Sequence, residues 1–305
     1  MSRNTAFVFP GQGSQRVGML ERVPDHHALD RLLDAAEAIS GLELCAVATD
    51  GPEDRLSDTR YAQPLLYLAD WAWGTVLQSH GVRPVSVAGH SLGEFAARAV
   101  AGVFSVEAGL ELVVERSKLM ATVARANPGT MAAVLGLERS SVAAVVDTLE
   151  DVWVANDNGP GQIVISGLPD AVERASLALA EAGARKMVPL KVAGAFHSPL
   201  MEDARSRFAD VLASADFSDA RVPVYQNTDP TPATDGAQIR ERLARQITEP
   251  VRWTETMQAM VAAEISLFIE AGPGAVLTGL TRRVDGLDGL AAENADIAQI
   301  LEEVS

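Results

Sequence analysis

Val85-Ser86-Val87-Ala88-Gly89-His90-Ser91-Leu92-Gly93-Glu94-Phe95-Ala96-Ala97 decides the fold. An apolar run, a serine set between two glycines and a helix-forming stretch describe a strand that turns sharply into a helix. In such an elbow the serine takes a strained conformation that only neighbours without bulky side chains permit, and its hydroxyl stands out over the sheet. A glycine-rich turn with an incidental serine has the same spelling, so Ser91 is a candidate nucleophile that still needs a base.

Outward from the elbow the chain alternates strand and helix. Ala6-Phe7-Val8-Phe9 reads as a buried strand ending at Pro10, with helical patterns at about 28–39 and 62–79 before the elbow and at 92–101 and 106–124 after it. This is the rhythm of an α/β layered domain. From Met131 the order becomes strand 131–137, helix 140–149, strand 152–156, strand 162–167, helix 170–182 and strand 185–190. That β-α-β-β-α-β order is ferredoxin-like, with Asn156 to Gly161 expected as its central turn. Beyond it come a helix at 198–213, a strand at 222–226, helices at 236–247 and 253–263 and a strand at 265–270. The resumed alternation makes the middle segment an insertion: a large unit of 1–125 and 192–305 carries a small one of 126–191.

Composition narrows the function. The 305 residues carry 41 acids against 25 bases, a formal net charge of -16, which repels polyanions and argues against nucleic acid as a partner. One cysteine, Cys45, excludes an internal disulfide and a multi-cysteine metal site. No secretory leader or membrane-length apolar run is evident, so a cytoplasmic protein without membrane attachment is expected.

A serine hydroxyl needs a base within hydrogen-bond reach, most often histidine. Of five histidines, His26 and His27 lie in a polar stretch, His80 precedes Gly81 at a helix end, and His90 is held in the elbow itself. His197, in Gly194-Ala195-Phe196-His197-Ser198 between a strand and a helix, is the favoured base. Its orienter stays open, with Asp229 and Glu270 both conceivable. Arg116 has Leu112, Val113, Leu119 and Met120 at i-4, i-3, i+3 and i+4, so its guanidinium emerges from an apolar patch and requires an anion. Either an internal acid or a substrate carboxylate would serve. The Gly11-Gln12-Gly13-Ser14-Gln15 loop lacks the third glycine of a dinucleotide fingerprint, since Arg16 stands there. It is a plain turn or a backbone surface that donates amide protons to an oxyanion.

Taken together, Phe9-Pro10-Gly11-Gln12-Gly13-Ser14-Gln15, Gly89-His90-Ser91-Leu92-Gly93-Glu94, Arg116, Phe196-His197-Ser198 and Gln246 through Pro250-Val251-Arg252-Trp253 resemble the malonyl-CoA:acyl carrier protein transacylases and the acyltransferase domains of polyketide synthases. The motifs occur in that family's order over nearly the whole chain. The resemblance implies an α/β hydrolase-like core with a parallel sheet and an inserted ferredoxin-like subdomain. It implies that Ser91 is acylated, that His197 is the base, and that Arg116 clamps the malonyl carboxylate. The amides of Gln12 and Leu92 would form the oxyanion hole, and the main-chain carbonyl of Gln246 would orient the histidine. Gln63, His90 and Phe196 would line the pocket, and bulk at Phe196 would exclude an α-methyl. Gly194 departs from the histidine of integrated polyketide domains and is similar to discrete enzymes. The expected substrate is malonyl-CoA and the expected acceptor the phosphopantetheine thiol of an acyl carrier protein, in fatty acid or polyketide synthesis. No bound cofactor or metal is expected, and a monomer is expected. Arg185, Lys186, Lys191, Arg205, Arg282 and Arg283 are candidates for a basic rim that meets an acidic carrier. A hydrolase that edits acyl carrier proteins and a non-catalytic docking protein are the alternatives.

Overall fold

The computed structural model describes residues 3–24, 28–192 and 194–305. Among these, ten strands form two sheets: β1 (Thr5–Phe9), β2 (Ser86–Gly89), β3 (Thr130–Leu135), β4 (Val152–Gly159), β5 (Gln162–Gly167), β6 (Lys186–Pro189), β7 (Val224–Tyr225), β8 (Val251–Arg252), β9 (Leu267–Glu270) and β10 (Asp288–Ala291). The larger sheet has the order β10-β9-β1-β2-β7 with every pairing parallel. The fold is the α/β class expected, a parallel sheet accompanied by a second, mixed one.

A parallel sheet covered on both faces needs strands that are apolar at every position, which is how β1 reads. Its residues Ala6 through Phe9 are fully buried, and the twofold alternation splits them between two cores. Phe7 and Phe9 join the large cluster beneath the helices Thr59–Ser79, Gly93–Ala101 and Val106–Ala126, while Ala6 and Val8 pack with Trp253, Met257 and Phe268.

The second sheet has the order β6-β3-β5-β4-β8. Its first four strands are antiparallel neighbours in ferredoxin-like order, and a third core of Val134, Val142, Ile163, Ile165, Ala175 and Leu179 joins them to helices Arg139–Val146 and Pro169–Glu181. The fifth strand comes from far along the chain. β8 pairs in parallel with β4 through Asn156 with Val251 and Asp157 with Arg252.

Several expected boundaries move. Asn156 to Gly159 are strand, leaving only Pro160 and Gly161 to turn, because the ladder with β5 absorbs the polar residues through register shifts at Val154/Asn156 and Asp157/Gly159. The expected helix 198–213 opens with a short 3-10 turn, Pro199–Met201, before Glu202–Ala213, and β7 is two residues instead of five. Helices Leu44–Asp50, Glu53–Leu56, Val276–Thr281 and Ile297–Val304 and strands β8 and β10 were not expected. His26 and His27 lie outside the described residues. No helix among the described residues is long and apolar enough to cross a membrane.

What matters for function is the carboxyl edge of the parallel sheet, where ligands of open α/β sheets gather. β1 runs there into the Gly11–Gln15 loop, β2 into the elbow, β7 into Gln226-Asn227 and β9 into Ala271-Gly272.

Candidate active site

Ser91 sits at φ 50°, in the left-handed region, between β2 and the helix Gly93–Ala101. A side chain at Gly89 would place its Cβ 2.0 Å from the carbonyl carbon of Gly93, and one at Gly93 would place it 2.0 Å from the Phe9 carbonyl oxygen. The turn therefore closes only with glycine at both positions. Asn227 pins it from the side, accepting from the Ser91 amide at 2.6 Å through Oδ1 and donating to the Gly89 carbonyl at 2.7 Å through Nδ2.

The Ser91 hydroxyl lies 2.8 Å from His197 Nε2. On the far side of the ring, Nδ1 faces two carbonyls, Gln246 at 2.9 Å and Glu249 at 3.2 Å. Carbonyls only accept, so Nδ1 carries the proton and Nε2 offers its lone pair to the serine. His197, like Ser91, is left-handed, at φ 55°. Ser91 and His197 thus both hold a conformation that costs on the order of 1–3 kcal/mol each and that the surrounding structure must impose. Asp229 pairs instead with Arg242 at 2.7 Å, and Glu270 accepts from the amides of Leu277 and Thr278, so neither acid orients the imidazole.

Arg116 is 1% exposed. Its Nη1 donates to Gln63 Oε1 at 2.7 Å and its Nη2 to Gln246 Oε1 at 2.9 Å, while Nη2 also lies 3.4 Å from Ser91 Oγ. The guanidinium carbon stands 5.7 Å over the Phe95 ring. The nearby buried acid, Glu94, is already engaged by Arg98 at 3.3 Å, by Gln246 Nε2 at 2.5 Å and by the Asn227 amide at 2.6 Å. Arg98 thus takes the ion pair with Glu94, and among the described residues no acid comes within ion-pair distance of Arg116. The internal-acid alternative for Arg116 falls away.

These charges act on His197. Burial first, then the positive field of Arg116 and of His90, press the His197 pKa down to about 3, against the raising effect of its two carbonyl partners. Burial lowers Arg116 to about 10, partly countered by Glu94, which leaves it charged at neutral pH.

A cleft of about 400 Å³ opens over this group, lined among others by Gln12, Gln63, His90, Ser91, Leu92, Arg116, Phe196 and His197. A second cavity of about 550 Å³ shares Gln12, Leu190, Lys191 and Phe196 with it and reaches Arg60 and Arg125. The amides of Gln12 and Leu92 have no hydrogen-bond partner among the described residues. No three His, Cys, Asp or Glu side chains among the described residues are grouped to hold a metal.

The family described as acyl transferase domain matches residues 6–301. The chain belongs to that family. This acyltransferase is 42% identical over 282 residues to a malonyl CoA-acyl carrier protein transacylase of Synechocystis, with 92% of this chain and 93% of that one covered. It superposes on the malonyl CoA-acyl carrier protein transacylase of Coxiella burnetii with a TM-score of 0.94 at 33% identity, covering 100% of this chain and 98% of the other. A further match, at TM-score 0.92 and 36% identity over 99% of each chain, comes from a complex of a type II polyketide acyl-carrier protein with its malonyl-transacylase.

Several residues of the acyltransferase site escape a reading of sequence. Gln246 contributes its side chain as well as its carbonyl, donating from Nε2 to the Ser91 carbonyl at 2.7 Å. His90 turns away from Ser91 and lies 2.7 Å from Asn158 Oδ1, and Asn156 lines the cleft beside it. Both asparagines fall in the segment expected as a turn. Of the six candidate rim cations, Lys191 lies at the cleft, Arg205 is paired with Glu202, and Arg283 donates to the Pro160 carbonyl at 2.6 Å.

Proposed function

We propose that this acyltransferase moves the malonyl group of malonyl-CoA to the phosphopantetheine thiol of an acyl carrier protein through a malonyl-serine ester. The observation that carries the reading is Arg116: a buried cation, held by two neutral amide oxygens, whose Nη2 lies 3.4 Å from the nucleophile. Such a group is costly to bury unless an anion arrives, and a dicarboxylic thioester brings its free carboxylate to that point. A neutral acyl group would leave the charge uncompensated.

Ser91 Oγ attacks the thioester carbon as His197 Nε2 takes its proton, and the amides of Gln12 and Leu92 receive the oxyanion. Collapse breaks the carbon–sulfur bond, and the imidazolium returns its proton to the departing coenzyme A thiolate. His197 then deprotonates the carrier's thiol, which attacks the ester carbonyl, and Ser91 leaves with the proton restored. No redox change occurs, and the scheme calls for no cofactor. The adjoining cavity gives the pantetheine arm a corridor, and Phe196 narrows the space beside the α-carbon against a methyl branch. One chain supplies every group, so a monomer in the cytoplasm suffices. We likewise divide the chain into a large unit of 1–125 and 192–305 and a small one of 126–191.

Intact-mass spectrometry after exposure to malonyl-, methylmalonyl- and acetyl-CoA tests this directly. One malonyl adduct is expected on the parent, stable until a holo carrier protein removes it, and none on Ser91→Ala. An adduct lost to water faster than to the carrier would favour the editing hydrolase, and no adduct at all the docking protein.

A further inference from the structure

We propose that Thr59, the first residue of the helix Thr59–Ser79, is a positioning residue whose hydroxyl couples the carboxylate clamp to the oxyanion loop. This rests on the malonyl-transfer reading above. Arg116 can only donate, so Gln63, whose Oε1 accepts from Arg116 Nη1 at 2.7 Å, must turn its amide nitrogen the other way. One helical turn back, that nitrogen donates to Thr59 Oγ1 at 2.7 Å. The hydroxyl oxygen now accepts, and its single proton goes to the next acceptor, Gln12 Oε1, at 3.1 Å. Gln12 Nε2 is thereby left to face the Ser57 carbonyl, at 3.2 Å.

One guanidinium therefore sets the polarity of three side chains in succession, ending on the residue whose main-chain amide faces the reacting carbonyl. The hydroxyl is the only group in the series that both accepts and donates through one atom, and the relay cannot pass through a residue lacking it. Gln63 is buried, at 1% exposure, while Thr59, at 8%, borders the larger cavity. Without the hydroxyl, the Gln63 amide nitrogen keeps only the Met120 sulfur, a weak acceptor at 3.6 Å, to hold its oxygen toward Arg116, and Gln12 loses its tether. The first loss affects only acyl groups with a carboxylate, and the second affects all acyl groups.

The test compares Thr59→Val and Thr59→Ser with the parent in acylation by malonyl-CoA and acetyl-CoA, alone and with Arg116→Ala. Removing the hydroxyl leaves a buried donor unsatisfied, so Thr59→Val should lower kcat/KM for malonyl-CoA by about 10- to 100-fold and for acetyl-CoA by a smaller factor. Thr59→Ser should restore most of the malonyl rate. In the Arg116→Ala background the malonyl-specific part of the Thr59→Val loss should vanish, which a general loosening of the fold would not produce. If Thr59→Val does not fold, Thr59→Ala removes the same hydroxyl and carries the same comparison. Equal losses for both acyl groups, unchanged by Arg116→Ala, overturn the inference, as does a Thr59→Val enzyme indistinguishable from its parent. A parent that accepts no malonyl group overturns the proposed function as well, whereas an active parent with indifferent variants overturns this inference alone.

Discussion

Two sets of buried polar side chains lie near the carboxyl edge of the parallel sheet, and the protein treats them in opposite ways. Around Ser91, Glu94 receives Arg98, Gln246 and the Asn227 amide, and Arg116 is held by two glutamine oxygens. Near Gly272, Asp70 is fully buried with neither carboxylate oxygen partnered among the described residues, and its neighbour in charge, Glu270, accepts from the amides of Leu277 and Thr278. Burial, with Glu270 adding to it, drives the Asp70 pKa well above its ordinary value and favours the neutral acid, whereas the cation of Arg116 persists. Charge survives burial where donors and acceptors converge on it, and is discharged by a proton where they do not.

The sharpest test applies the same chemical change, carboxyl to amide, to each set. Glu94→Gln leaves Arg98 without its ion-pair partner and should destabilise the fold by about 3–5 kcal/mol in urea unfolding, as expected for breaking a buried ion pair. A loss under 1 kcal/mol there would erase the contrast between the two sets.

Arg116→Ala comes next in size. It should lower kcat/KM for malonyl-CoA by about 100-fold, the scale of removing one partner of a buried charge pair, while sparing or raising acetyl transfer. Equal losses for both acyl groups would remove the clamp from the mechanism.

The third test is the pH profile of acylation. With its pKa near 3 in the free protein, His197 stays neutral well below pH 6, so kcat/KM for malonyl-CoA should show no acid limb near 6.5. A carboxylate bound at Arg116 cancels part of the field that holds the pKa down, so the limb in kcat should lie higher than in kcat/KM, and the separation should disappear with acetyl-CoA. Stability follows the same group. Unfolded, His197 binds its proton below about 6.5, and folded only near 3, so its contribution is complete above 6.5 and is lost as pH falls through that window.

The smallest effect belongs to Asp70. Its folded pKa is raised, so keeping it protonated costs stability that grows as pH rises above 3.8, the ordinary value. Asp70→Asn should therefore stabilise the protein at pH 8 by about 1–3 kcal/mol, with the gain shrinking toward pH 4, as thermal melts at the two pH values would read. A destabilised Asp70→Asn at pH 8 would mean that the carboxyl has partners after all.

The uneven legibility of this molecule in its sequence has physical causes. The elbow is spelled out locally, because a strand, two obligatory glycines and a helix follow one another without interruption. Arg116 announces itself through four apolar neighbours at helical spacing. The ferredoxin-like order follows from periodicity alone. The acceptors of His197 Nδ1 are main-chain carbonyls, which every residue possesses, so no side chain at 246 or 249 could advertise them. Asn227 and Thr59 carry no local signal of what they hold, because the groups at Ser91 and at Gln12 and Gln63 come together with them only through tertiary packing. Asn156 to Gly159 have the composition of a turn, yet they pair with β5 on one side, while Asn156 and Asp157 pair with β8 on the other, a context that a local window does not contain.

β8 carries a consequence for engineering. Its two residues complete the edge of the small sheet, and they follow directly on the segment from Gln246 to Glu249 whose carbonyls steer the imidazole. The small sheet is therefore stitched to His197, the proposed base, and a chimera that grafts this layer from a relative to alter acyl choice inherits a condition. The incoming edge strand must present the same parallel ladder to Val251 and Arg252, or the graft will detune proton transfer before it changes which acyl group is accepted.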